Sequence, residues 1–255
     1  MFNSGVVFSP EFYYPPRNVF CFSADRALLH TKRVYQYLNN CSRCGTFEGM
    51  DLVSSLFFLA TLLLSVILHE IAHGYTALSL GDPTAKNAGR LTLNPIPHVD
   101  PIGSVVVPLA LILFGSPILF GWAKPVPVDS YNLRDRKYGS AKVSFAGPGA
   151  NLAIALFFGL LLRFFGGLIA ETLPAVIPLF LGIIYLNFVL AIFNLLPIPP
   201  LDGSHILFDF LPRSFSAVRN FLAQYGLFIL LFFIFFLFPY LNPVVVWLTR
   251  LVVGF

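Results

Sequence analysis

Charge is what this sequence has least of. Only 11% of its 255 residues are Asp, Glu, Lys or Arg, well under the roughly 25% of an ordinary soluble domain. A soluble fold of this length cannot cover its surface with so few, so that class is excluded. Cysteine is scarce too: Cys21, Cys41 and Cys44 all precede residue 50. An odd count gives no disulfide framework, and one CxxC without a second pair makes no zinc ribbon. Methionine occurs only at Met1 and Met50, and Met50 stands just before the first long apolar run. The stretch before it lacks the apolar core of a secretory signal. Residues 1–49 are mixed, aromatic and without period, and are expected to be a disordered extension or sequence upstream of the true start. Residues 50–255 form the membrane-embedded domain.

What is present is hydrophobic: 57% of residues and a mean hydropathy of +0.79. Apolar runs lie at 52–80, 102–120, 143–165, 175–196 and 220–238, with a tail at 243–255. Several approach the roughly 20 residues that cross a bilayer as helix. The expected fold is an all-α polytopic membrane protein with about four to six transmembrane helices. The net charge of +4 sits mostly in loops between runs, where it encodes topology and not nucleic-acid binding.

Loops 81–100 and 121–142 are both basic, carrying Lys86 and Arg90, and Lys124, Arg134, Arg136, Lys137 and Lys142. Both flanks of 102–120 then belong on the cytoplasmic side. That segment is expected to be re-entrant, with an ordinary crossing as the competing view. The ends of 52–80 and 175–196 consequently meet at one depth near the cytoplasmic face. In loop 81–100 the alternation Gly89-Arg-Leu-Thr-Leu-Asn94 suggests a small β element, whose edge could pair with an extended peptide.

The first run ends in "LHEIAHGYTA". His69 and His73, at i and i+4, share one helix face and can reach one ion, with Glu70 beside it as a proton acceptor. Ionisable residues in a span are rare and mark function; the bland alternative is two imidazoles snorkelling to the interface. Zinc needs a third protein ligand. Asp202, in "NLLPIPPLDGSHIL", is the strongest candidate, because Pro197, Pro199 and Pro200 end the preceding helix at the depth of the histidines. Asp82, Asp100, Asp129, Asp135 and Asp209 read more simply as solvated acids, with Asp100 and His98 bracing the re-entrant turn. Asn151 and Asn194 stand inside apolar runs and need partners. Each either joins helices or bonds a substrate carbonyl or oxyanion; packing is favoured at Asn151 and substrate at Asn194. Asn187 and Tyr185 read as core packing.

Together, HEIAHG, "AGPGAN" at 146–151 and "NLLPIPPLDG" at 194–203 resemble the site-2 protease family of intramembrane zinc metalloproteases. "GRLTLNPIPHVDPIG" and "FGWAKPVPVD" are similar to its compact bacterial branch without a PDZ domain. The resemblance implies His69, His73 and Asp202 as ligands of one Zn2+ per chain, Glu70 as general base, and Asn194 holding substrate. It implies cleavage in or near the span of a single-span membrane protein, in a bacterial plasma membrane, with the site toward the cytoplasm. A homo-oligomer is left open, and no nucleic acid is expected. The family's LDGG followed by Arg is here Asp202-Gly203-Ser204-His205, which leaves open whether His205 approaches the metal. The rival reading is a metal transporter or metal-binding membrane protein.

Overall fold

A computed structural model describes residues 52–114 and 122–254; the expectations for 1–49 lie outside the described residues. All regular structure within them is helical. Helix α1 is Leu52–Ser79 and α2 the single turn Thr84–Asn87. A π-helical turn, Pro101–Val106, leads into α3, Val107–Leu113. Then follow α4, Gly139–Thr172; α5, Val176–Asn194; α6, Asp202–Phe210; α7, Ser216–Phe232; and α8, Leu241–Val253. Four stretches are long and apolar enough to cross a membrane: Leu56–Ser79, α4, α5 and the continuous helical run Ser216–Val253. Leu59, Phe157, Phe164, Phe228 and Phe236 are exposed on them, as lipid-facing side chains must be.

The expected run at 220–238 and the tail after 243 thus lie on one continuous helical run. π and 3₁₀ turns at Phe233–Leu237 and Phe238–Tyr240 bridge α7 to α8 around Pro239. Gly226 lies against Pro199, while Val252 packs on Gly159 far along α4. The apolar core lies where α4, α5 and α8 meet, around Ala155, Leu162, Leu181, Ile184, Phe188 and Val245. Polar residues fasten it: Asn187 Nδ2 donates to Ser65 Oγ at 3.0 Å and Tyr185 Oη to Asn242 Oδ1 at 3.0 Å.

The chain before Gly103 and the chain after Trp122 meet. Asp100 Oδ1 accepts the Ile102 and Gly103 amides at 2.9 and 2.7 Å, capping the departing turn. The returning Trp122 N–H reaches the Gly103 carbonyl at 3.1 Å, and Lys124 N–H the His98 carbonyl at 2.9 Å. Two arms that bond each other at their base fit a re-entrant segment, although Ile102, Val106, Leu109 and Leu113 between them are exposed. His98 does not join Asp100; its Nε2 lies 2.9 Å from the Thr92 carbonyl.

The small β element expected in loop 81–100 is not formed. Gly89 takes φ +66° and turns the chain, and the Arg90 side chain is buried. Thr92 Oγ1 then accepts the Asn94 amide at 3.2 Å, and Asn94 Oδ1 the Ile96 amide at 3.1 Å. Such local side-chain bonds offer the backbone an alternative to a strand. Gly74 packs closely under this loop, since a Cβ there would push the Leu91 side chain aside and crowd Ala85 and Val126.

Candidate metal centre

His69 and His73 are buried at 6% and 8% exposure, in the last three turns of α1. Helix α4 runs antiparallel beside α1 and contacts them twice. The Val143 carbonyl lies 2.7 Å from His73 Nδ1; a carbonyl can only accept, so Nδ1 carries the proton and Nε2 keeps its lone pair. One turn further along α4, a Cβ on Gly147 would stand 2.5 Å from His69 Nε2 and closer still to His73 Nε2. Only hydrogen fits there. The small residues of "AGPGAN" therefore leave space directly over the two imidazole nitrogens.

Asp202 arrives from the other side. The prolines after Asn194 prevent α5 from continuing, and the chain reverses into α6, where Asp202 is the first residue. Gly203 permits the reversal, since a Cβ would run into the Leu195 and Leu196 carbonyls. Ser204 Oγ donates to the Leu201 carbonyl at 2.7 Å and fixes the turn. The Asp202 Oδ2 atom consequently lies 3.0 Å from His69 Nε2 and 3.3 Å from His73 Nε2, while the two Nε2 atoms are 3.0 Å apart. Zinc bonds of about 2.0–2.2 Å in tetrahedral array set neighbouring donors about 3.3 Å apart. The three donors fit such an ion in kind, in spacing and in the room that Gly147 leaves. His69 Nδ1 has no partner among the described residues, so only His73 is oriented from behind.

Glu70 stands next to these donors without joining them. Its Oε2 accepts the Val126 N–H at 2.8 Å. Val126 lies between Pro125 and Pro127, neither of which has an amide hydrogen. The chain after Trp122 thus offers one donor at this point, and Glu70 takes it.

The remaining candidates separate. Asn194 is half-buried at the end of α5, and its Nδ2 donates to the Leu190 carbonyl one turn back at 2.9 Å. Asn151 is fully buried, one turn along α4 from Gly147, and neither amide atom has a partner among the described residues. His205 is exposed and lies outside the donor group. Asp209 is not simply solvated: its Oδ2 accepts the Ala141 amide at 2.7 Å and caps the start of α4 from α6. Asp82 is wholly buried. It accepts the amides of Thr84 and Asp129 at 3.0 and 2.8 Å, the Thr84 hydroxyl, and Asn132 Nδ2. Burial works against its charge, but these bonds outweigh burial and hold its pKa below the ordinary 3.8.

Two contributors escape a search for ionisable side chains: the hydrogen of Gly147 and the backbone amide of Val126. "GPG" in a helix and "PVP" in a loop are the only traces they leave.

The model for peptidase family M50 matches residues 169–237, which include Asn194 and Asp202. The candidate zinc metalloprotease YwhC of Bacillus subtilis (strain 168) is 38% identical over 195 residues, covering 75% of this chain and 84% of that protein. The candidate zinc metalloprotease Rip2 of Mycolicibacterium smegmatis (strain ATCC 700084 / mc(2)155) is 35% identical over 152 residues, 58% of this chain and 54% of that protein. The Rip2 of Mycobacterium tuberculosis (strain ATCC 25618 / H37Rv) is 34% identical over 200 residues, 76% of this chain and 73% of that protein. No solved structure matches the chain.

Proposed function

The chain belongs to peptidase family M50, the site-2 proteases, and from that premise we propose that it hydrolyses a peptide bond in or near the transmembrane segment of a membrane-anchored protein. Bound zinc, one per chain, supplies a Lewis acid that polarises an amide carbonyl and brings the pKa of water down to about 7. His69, His73 and Asp202 hold the ion, and His73 is kept in its ligating tautomer by the Val143 carbonyl. Glu70 accepts a proton from the attacking water at its carboxylate and delivers it to the leaving amine. The Val126 amide keeps one carboxylate oxygen engaged, which fixes the direction of the other.

A helical substrate hides its carbonyls in hydrogen bonds, so it must unwind locally before it is cut. Asn194 is assigned to the unwound strand: Nδ2 is bonded to Leu190, and Oδ1 is left as an acceptor for a substrate amide. Asn151 is enclosed and is assigned to packing. With basic loops on the cytoplasmic side, the site opens toward the cytoplasm of a bacterial plasma membrane. Cutting a single-span protein there releases its cytoplasmic part, the outcome of regulated intramembrane proteolysis.

The observation that carries this reading over metal transit is Glu70. A transit site gains nothing from an acid held beside the donors and out of their set, whereas hydrolysis needs one. The test is the full chain in proteoliposomes with a panel of single-span proteins. Zinc-dependent cleavage mapped by mass spectrometry to a span is expected; zinc flux into the vesicles with every substrate intact contradicts it.

A further inference from the structure

Arg90 is charged and only 6% exposed. Among the described residues no carboxylate pairs with it. Its fork reaches backbone carbonyls instead: Nη1 donates to Pro97, and Nη2 donates to Lys124 at 2.6 Å and to Pro125 at 3.1 Å. Pro97 is on the arm entering the re-entrant segment, and Lys124 and Pro125 are on the arm leaving it. Burying a guanidinium against carbonyls alone is costly, and a surface loop has no need of it. The residue after Pro125 is Val126, whose amide holds Glu70.

We propose that Arg90 is a positioning residue for Glu70: it ties the two arms together and so holds the Val126 amide against the carboxylate. The geometry of Arg matters here. A planar fork with five donors spans carbonyls on two strands, which the single ammonium of Lys cannot do. The prolines at 125 and 127 reinforce the arrangement by stiffening the backbone and leaving no other amide to compete. Arg90 touches neither metal nor substrate in this account and acts through backbone alone. The inference rests on Glu70 being the base, so its test needs a readout independent of cleavage.

Hydrogen exchange at the Val126 amide supplies one, because Pro125 and Pro127 contribute no exchangeable hydrogen to a peptide covering this arm. In the full chain, zinc-loaded in detergent, Arg90→Gln is expected to speed Val126 exchange about tenfold, the scale of a charge-assisted bond. Amides of α4 and α5 keep their protection, and bound zinc stays at the wild-type level. Cleavage of a single-span substrate is expected to lose about tenfold in kcat with little change in KM, since a displaced base weakens the chemical step and not binding. Glu70→Ala is expected to free the Val126 amide in the same way with Arg90 intact.

Unchanged Val126 exchange and unchanged kcat in Arg90→Gln would overturn the proposal. If that variant does not fold, Arg90→Lys decides: wild-type exchange and wild-type kcat with Lys equally overturn it, because Lys does not bridge both arms. If Glu70→Gln still cleaves at the wild-type rate while Arg90→Gln frees Val126, the positioning geometry stands and the base assignment falls.

Discussion

Gly147 on α4 faces His73 on α1 so closely that no side chain fits between them. A Cβ would press on His73 Nε2 and stand 2.5 Å from His69 Nε2. The site is thus bounded by a helix backbone, which cannot rotate away as a side chain would. Gly147→Ala must displace one imidazole. Overpacking of this kind costs about 1–3 kcal/mol, which converts to roughly 5- to 150-fold weaker zinc binding. Competition with a chelator of known affinity checks it; wild-type affinity in the variant would mean that α4 does not abut the metal.

Asp82 clasps the loop after α1 to the segment 129–132, and its pKa is depressed in the folded protein. A group whose folded pKa is lowered contributes stability above its unfolded value and loses it as pH falls. That contribution is complete well above pH 3.8 and declines as pH drops through the lower folded value. The melting temperature in detergent should therefore fall at acid pH by less in Asp82→Asn than in wild type. At neutral pH that variant should be less stable by about 1–3 kcal/mol, since the Asp129 amide loses its buried acceptor. A variant with an acid limb as steep as that of wild type would contradict the assignment.

Much of this is legible in the sequence. The runs at 52–80, 143–165 and 175–196 are long and uniform, and each became a helix. His69, His73 and Asp202 could be brought together because helix spacing aligns two of them and the prolines end α5 at their depth. The short pieces were harder. Gly89–Asn94 alternates like a strand, yet the Thr92 and Asn94 side chains accept nearby backbone amides, and Arg90 is buried with its guanidinium on the Pro97, Lys124 and Pro125 carbonyls. Asp82 and Asp209 resemble surface acids because their partners, Asp129 and Ala141, are far along the chain. The amide of Val126 carries no side-chain signature, so its bond to Glu70 is visible only once the loop is folded.

The re-entrant arrangement makes a topological prediction. Lys86 and Ser130 are exposed on the two flanks of the segment and are expected on the same side of the membrane. Lys86→Cys and Ser130→Cys, in a background without the three native cysteines, should react alike with a membrane-impermeant thiol reagent, both from the cytoplasmic side. Opposite labelling would make 102–120 an ordinary crossing.

The two asparagines should behave differently. Asn194→Ala should lower kcat/KM on a single-span substrate about 2- to 10-fold with zinc retained, as expected for one lost hydrogen bond of roughly 0.5–1.5 kcal/mol. Asn151→Leu should leave KM unchanged and shift only thermal stability. A raised KM for Asn151→Leu would return that residue to the substrate site.

The central claim is that Glu70 moves the proton while His69, His73 and Asp202 hold the metal. Glu70→Gln keeps the size of the side chain and removes the base. Bound zinc and the cleavage rate of a single-span substrate, measured side by side in wild type and variant, test it most directly. Zinc near one per chain in both, with cleavage reduced by a factor of at least about 100 in the variant, is the predicted result. A variant that holds zinc and cleaves as fast as wild type would contradict it.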